Sequence, residues 1–144
     1  MRIVLLDTGP VVALLYRQDP HRHATVEALT SAAGAGRRTC TTWEVVSEAY
    51  TFMRMRLAPR GQAHPALRVL AWAWESAITI LGTTDEDHKT TAEILEQNAD
   101  VRLSYVDALL LAVSERHEAE ELVTIDGSHF RAVRPQHTRL ITVV

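Results

Sequence analysis

The sequence predicts a three-layer α/β/α sandwich with a mostly parallel central sheet. Three observations lead there. Short aliphatic runs without polar alternation recur along the chain, as strands covered on both faces require. Stretches with a helical apolar period separate them, and helix-start signals stand close behind several of the runs. Such β-α alternation closes through right-handed crossovers into one sheet with helices on both faces.

The elements follow in order. Residues 3–6 (Ile-Val-Leu-Leu) form the first strand, and Gly9-Pro10 starts a helix to about Arg17, with Pro at its first position. A second helix spans 21–33, closed by Gly34 and Gly36. A short strand over 39–41 leads to Thr42, an N-cap for a helix over 43–57 whose apolar positions 45, 46, 49, 52 and 53 form one stripe. That helix ends before Pro59 and Gly61. The next covers 62–75, with Leu67, Leu70, Ala71 and Trp74 on its apolar side. Strand-like residues 78–81 precede Thr84, which with the acids behind it starts a helix to about Asn98. Ser104 caps a helix that is apolar nearly all round from 106 to 113 and is therefore buried. Residues 122–125 form a strand, Asp126-Gly127 a turn and 140–143 a last strand. One domain over 1–144 accounts for the chain, long enough for a core of its own.

Composition narrows the function. With 47% apolar and 23% charged residues the chain is an ordinary globular protein. Its longest apolar runs fall far short of the roughly 20 residues that cross a bilayer, so no membrane role is expected. Arg2 followed by so short an apolar run is no secretory leader, and the cytoplasm is the expected compartment. Cys40, the lone cysteine, excludes an intramolecular disulfide and a cysteine-based zinc site. The formal net charge of −3 argues against bulk attraction to nucleic acid. Its distribution is uneven. Arg37, Arg38, Arg54, Arg56, Arg60 and Arg68 face only Glu44 and Glu48 in the same segment, and Arg54, Arg56 and Arg60 are candidate phosphate contacts. The acidic stretch from Asp85 to Asp100 reads as a solvated helix face. No G-x-x-x-x-G-K-[ST] or G-x-G-x-x-G pattern supports nucleotide binding, and the one lysine, Lys89, lies in the acidic helix, away from a phosphoacceptor site.

In open parallel sheets ligands collect at the carboxyl ends of the strands. Asp7 and Asp126 follow strands there, while Glu48 and Asp107 occupy early turns of helices that start at the same edge. Gathered in one cleft, four carboxylates raise one another's pKa, a cost that a divalent cation removes. All-oxygen ligation suits Mg²⁺ or Mn²⁺. Each acid also has a structural reading: Asp7 as a helix cap, Asp126 as the head of an Asp-Gly turn, Asp107 as the far end of a capping box with Ser104. Glu48 borders the 45/49/52 stripe and is expected to turn toward the sheet rather than open water; Glu44, one turn earlier, competes with it.

Four segments, L-L-D-T-G-P around Asp7, T-W-E-V-V-S-E over 42–48, L-S-Y-V-D-A over 103–108 and T-I-D-G-S-H-F over 124–130, resemble the signature segments of PIN domains, in the family's order and across essentially the whole chain. In size the chain is similar to VapC-type toxins of bacterial toxin-antitoxin pairs. The resemblance implies a hydrolase, an endoribonuclease whose acidic quartet is Asp7, Glu48, Asp107 and Asp126, with Thr8 and Thr124 as supporting hydroxyls; Glu48 is preferred to Glu44 for its spacing from Thr42. Asp7 and Asp107 are then the expected direct ligands of one or two Mg²⁺ or Mn²⁺ ions, Glu48 and Asp126 positioning ions or water, and Thr8 orienting Asp7 or the attacking water. It implies further an RNA substrate, a cognate VapB-type antitoxin and a homodimer. Leu14, Leu15, Trp72 and Trp74 are available for an amphipathic partner helix or for the core. The alternatives are a catalytically silent PIN-fold module that binds RNA or protein, and a structure-specific DNA nuclease.

Overall fold

A computed structural model describes residues 2–57 and 64–143. Strands β1 (Ile3–Leu6), β2 (Arg38–Thr42), β3 (Thr79–Leu81), β4 (Glu121–Thr124) and β5 (Arg139–Thr142) form a sheet of order β3-β2-β1-β4-β5. All four pairings are parallel. The sheet is thus wholly rather than mostly parallel, because every connection carries a helical crossover. Helices α1 (Thr8–Leu15), α2 (Arg22–Gly34), α3 (Trp43–Phe52) and α4 (His64–Glu75) fill the connections on the β1-β2-β3 side. Helices α5 (Asp85–Gln97), α6 (Tyr105–His117) and the short α7 (Ser128–Val133) fill those leading to β4 and β5. α1 packs on α2, α3 and α4, and α5 on α6, giving the three layers that the sequence predicts.

The centre is dry. Every residue of β1 and of β4 is buried, and Ala108 to Ser114 of α6 form an unbroken buried run. Each of Leu109, Leu110 and Leu111, at 1% exposure or less, contributes roughly 2 kcal/mol of burial. Charge is confined to particular places. At the entry to β4, Arg37 Nε meets Glu120 Oε2 at 2.7 Å and Arg37 also pairs with Glu121, which Arg139 holds from the other side. These acids sit at the amino end of the strand, opposite the edge where Asp7 lies. Between α5 and α6, Arg116 clamps Asp87 with contacts of 2.7 and 2.9 Å. Asp87, 3% exposed, departs from the solvated face that Asp85, Glu86, Glu93, Glu96 and Asp100 do form: it is enclosed because it both closes a capping box with Thr84 and takes Arg116.

Several boundaries differ from the sequence reading, each for a local reason. α1 starts at Thr8, since Asp7 acts as its N-cap and draws the helix two residues ahead of Pro10. α3 passes at Met53 into a π-helical turn, Met53–Leu57, where the sequence predicts one continuous α-helix. α4 buries Ala66, Val69 and Ala73, which leaves Leu67, Leu70 and Trp74 exposed, the reverse of the predicted face. Trp74 instead meets Trp43 of α3 at a ring-centroid distance of 5.1 Å. The end of the α3 segment at Pro59 and Gly61, and Arg60 with it, lie outside the described residues. Among the described residues no helix is long and apolar enough to cross a membrane.

Candidate active site

The connections from β1 and β4, neighbours in the sheet, depart in opposite directions along it, so a crevice opens at their carboxyl ends. Asp7 follows β1 directly. Its Oδ1 accepts the backbone N–H of Thr8 at 2.8 Å, and its Oδ2 accepts the hydroxyl of Thr124, the last residue of β4, also at 2.8 Å. The pairing of Leu6 with Val123 brings these two residues to adjacent strand ends. Asp107 is the third residue of α6 and closes a capping box: its N–H donates to Ser104 Oγ at 3.1 Å and its Oδ2 accepts the Ser104 N–H at 3.2 Å. Glu48 reaches the same edge from α3. Asp126 stands two residues beyond β4, where its Oδ1 accepts the Ser128 N–H at 3.0 Å.

All four acids line one cavity of about 480 Å³, together with Thr8, Thr124, Asp19, His21, Phe52 and His129. The electrostatics are unequal. Burial pushes the Asp7 carboxyl up from its ordinary 3.8 to about 6; the Thr124 hydroxyl opposes this, the charge of Asp107 adds to it, the Thr8 amide opposes it, and Glu48 adds again. Asp126 goes the other way: hydrogen bonds from Ser128 hold its carboxyl below the usual carboxylate range, with His129 and Arg131 assisting. A proton or a cation therefore lowers the free energy of the site most at Asp7. His129 Nδ1 lies 3.9 Å from Asp107 Oδ2 on the cavity wall.

The sequence-predicted residues thus meet, with differences in detail. Asp7, Asp107 and Asp126 do carry the capping and turn roles of their structural readings, and they line the cavity at the same time. Glu48 is exposed on the rim instead of turned to the sheet, because the cavity mouth rather than the sheet faces its side of α3. Glu44 lies off this cavity; its Oε2 accepts the Thr83 hydroxyl at 2.9 Å and approaches His88. The Thr8 hydroxyl is buried without a partner, so the side chain that orients Asp7 is Thr124 and Thr8 contributes its amide. Leu14 and Trp72 border a separate concavity of about 330 Å³ and Leu15 packs against the core, whereas Trp74 stands on the surface. Asp19, His21, Phe52 and His129 line the cavity without being evident from the sequence. His129 carries no signal of spacing: Asp126 precedes α7, which begins at Ser128, so the interval between them follows no helical period.

Hard oxygen donors, a carboxyl burdened by its neighbours and an unpartnered buried hydroxyl at Thr8 fit a divalent cation by chemistry. Among the described residues no three His, Cys, Asp or Glu side chains are gathered around one point. Asp107 and Asp126 each spend an oxygen on a backbone amide, so ligation asks their carboxylates to turn inward.

The sheet order and the carboxylates at its switch point define an α/β protein with an acidic, cation-attracting crevice. The chain belongs to the PIN-domain family, whose pattern matches residues 4–134. Among proteins of known identity it is similar to Ribonuclease VapC26 of Mycobacterium tuberculosis, 23% identical over 141 residues that cover 98% of this chain and 99% of that protein. Among solved structures it is similar to Mycobacterium tuberculosis VapC20, a Sarcin-Ricin loop cleaving toxin, with a TM-score of 0.79 at 18% identity over 92% of this chain and 97% of that one. VapBC2 from Rickettsia felis, solved with a DNA fragment from its promoter, matches with a TM-score of 0.73 at 16% identity over 99% of both chains.

Proposed function

We propose that this chain is a Mg²⁺- or Mn²⁺-dependent endoribonuclease toxin of the VapC type, acting in the cytoplasm and restrained by a VapB-type antitoxin. The observation that carries the reading is the state of Asp7: a half-buried carboxyl, raised to about 6, facing Asp107 and Glu48 in a cavity whose acidic donors are all oxygen. Family membership and the likeness to Ribonuclease VapC26 support RNA as the polymer cut. The VapBC assembly of Rickettsia felis and a toxin-antitoxin complex from Klebsiella pneumoniae, both similar in fold, support the partner.

A bound divalent cation supplies charge neutralisation at the phosphate and activation of a water for in-line attack. The protein's part is to hold its donors. Thr124 fixes the Asp7 carboxylate through Oδ2 and the Thr8 amide fixes it through Oδ1, so its orientation is set from the end of β4 and the start of α1 at once. Ser104 ties Asp107 to the first turn of α6, where the positive end of the helix dipole favours its charge. Asp7 and Asp107 would be the direct ligands, and Glu48 and Asp126 would position ions or water from the rim. Arg54 and Arg56 offer charge to the RNA backbone from the π-helical turn. A homodimer is part of the same proposal.

The test is cleavage of total bacterial RNA by purified protein with Mn²⁺ or Mg²⁺, with and without EDTA, alongside Asp7→Asn. EDTA-sensitive cleavage that Asp7→Asn abolishes is expected. A protein that binds RNA but yields no such cleavage would be the silent module, and cleavage confined to branched DNA would make it the DNA nuclease.

A further inference from the structure

Next to the acid cavity lies a second concavity of about 580 Å³, set between α3, the π-helical turn and the start of α6. The two share Glu48 and Phe52 as a common wall. Phe52 is 44% exposed and Met55 74%, although Met53 between them is fully buried and pins the turn to the core. A π-helical turn adds a residue to the cycle and is frequently found at functional sites. Here it splays Met55 and Arg56 along the concavity while Met53 keeps its anchor. The remaining lining alternates hydroxyls, Ser47 and Thr51, with the apolar Val106.

An occupant must suit both the apolar surfaces and the charges. Glu44 and Glu48 on the wall repel a phosphate, so a nucleic-acid backbone does not run along the floor. A nucleobase is uncharged, presents a flat face to an aromatic ring and carries edge donors and acceptors for hydroxyls. The wall that the two concavities share sets this one beside a phosphate held over the Asp7 cavity. We infer that this concavity takes an unpaired RNA base flanking the scissile phosphate, with Phe52 as the stacking surface, Met55 as an adaptable edge and Arg56 on the adjoining phosphate. The inference rests on the ribonuclease reading, and it makes Phe52 a specificity-determining residue for unpaired over paired RNA.

The experiment uses the full chain carrying Asp7→Asn, to prevent cleavage, and two fluorescein-labelled probes read by anisotropy. One is a single-stranded RNA octamer of mixed sequence; the other is an octamer of equal phosphate number whose central positions are abasic. Adding Phe52→Ala should weaken binding of the first about tenfold and leave the second unchanged, and Phe52→Trp should restore the difference. Because Phe52 is exposed, its replacement spares the core, and circular dichroism checks this. Equal loss for both probes, no loss for either, or an octamer bound no tighter than its abasic counterpart overturns the inference and leaves the concavity to a protein segment. EDTA-sensitive cleavage by the Asp7-containing protein is scored separately. If it is present while Phe52→Ala changes nothing, the base site alone fails; if it is absent, the ribonuclease reading fails.

Discussion

Replacing Asp7 by asparagine tests the electrostatic state of the site without any substrate. In the metal-free protein the Asp7 carboxyl is raised from 3.8 to about 6, mainly by burial. At roughly 1.4 kcal/mol per pKa unit, its ionised form costs the folded state on the order of 3 kcal/mol once the pH is above about 7. The folded chain holds this proton more tightly than the unfolded chain does, so stability increases as pH falls across the window from about 6 to about 4 and is lost again as pH rises through about 6. Asparagine carries no charge at any pH, but its amide nitrogen cannot accept the Thr124 hydroxyl as Oδ2 does, a loss of about 1 kcal/mol. The balance predicts that in EDTA at about pH 8 the Asp7→Asn chain is the more stable by about 2 kcal/mol, and that near pH 4 the advantage vanishes or changes sign. Urea unfolding followed by circular dichroism at the two pH values reads this as a difference of midpoints. Millimolar Mn²⁺ should then stabilise the parent chain and not the variant. A stability difference that is the same at both pH values would show that Asp7 is not strained by its surroundings and would refute the reasoning.

Three other outcomes follow from the geometry. Thr124→Val keeps the shape of a residue that is 1% exposed while removing the hydroxyl that opposes the rise at Asp7, so the acidic limb of the cleavage-pH profile should move to higher pH; an unmoved limb would show that the hydroxyl is immaterial. Charge reversal at Arg54 and Arg56 should flatten the plot of log affinity against log salt for an RNA octamer by about one unit for each phosphate no longer neutralised, whereas parallel plots would place both arginines off the RNA path. Arg116→Leu leaves the enclosed Asp87 with no cation and should cost about 2 kcal/mol in urea at neutral pH, the half-exposed arginine keeping the figure below that of a fully buried pair. Burial raises the Asp87 carboxyl, but Arg116 and the Thr84 amide outweigh it and hold it below the usual range. The Arg116→Leu deficit should accordingly shrink as the pH falls through the carboxylate range, and a deficit constant with pH would count against the pairing.

The elements legible in the sequence are those whose cause is local. Thr84 with the acids behind it announces a helix start, and Ser104 with Asp107 a capping box; the structure closes a capping box at both. The all-apolar runs of β1 and of residues 108–113 announce burial on every side. What is not legible depends on neighbours distant along the chain. The buried face of α4 is made of Ala66, Val69 and Ala73, small residues that admit close approach, and the larger Leu67, Leu70 and Trp74 outweigh them in the pattern. Asp87 looks solvated in sequence because its cation, Arg116, is 29 positions away. At the site the residue types are legible and their surroundings are not. The division of labour between Thr8 and Thr124 is set by the pairing of β1 with β4, and the exposure of Glu48 by where the crevice opens; neither is written in the residues' own neighbourhoods.

The hydrogen bond from Thr124 to Asp7 joins positions 117 apart, and Asp126 comes later still. During synthesis Asp7 therefore waits for a threonine translated 117 positions later. A nascent chain with β1, β2 and β3 already paired has Asp7 and Glu48 in hand but nothing beside them at the central strand's open edge. The crevice is thus completed only when β4 docks on β1, so the site assembles after the β1-β2-β3 side of the sheet.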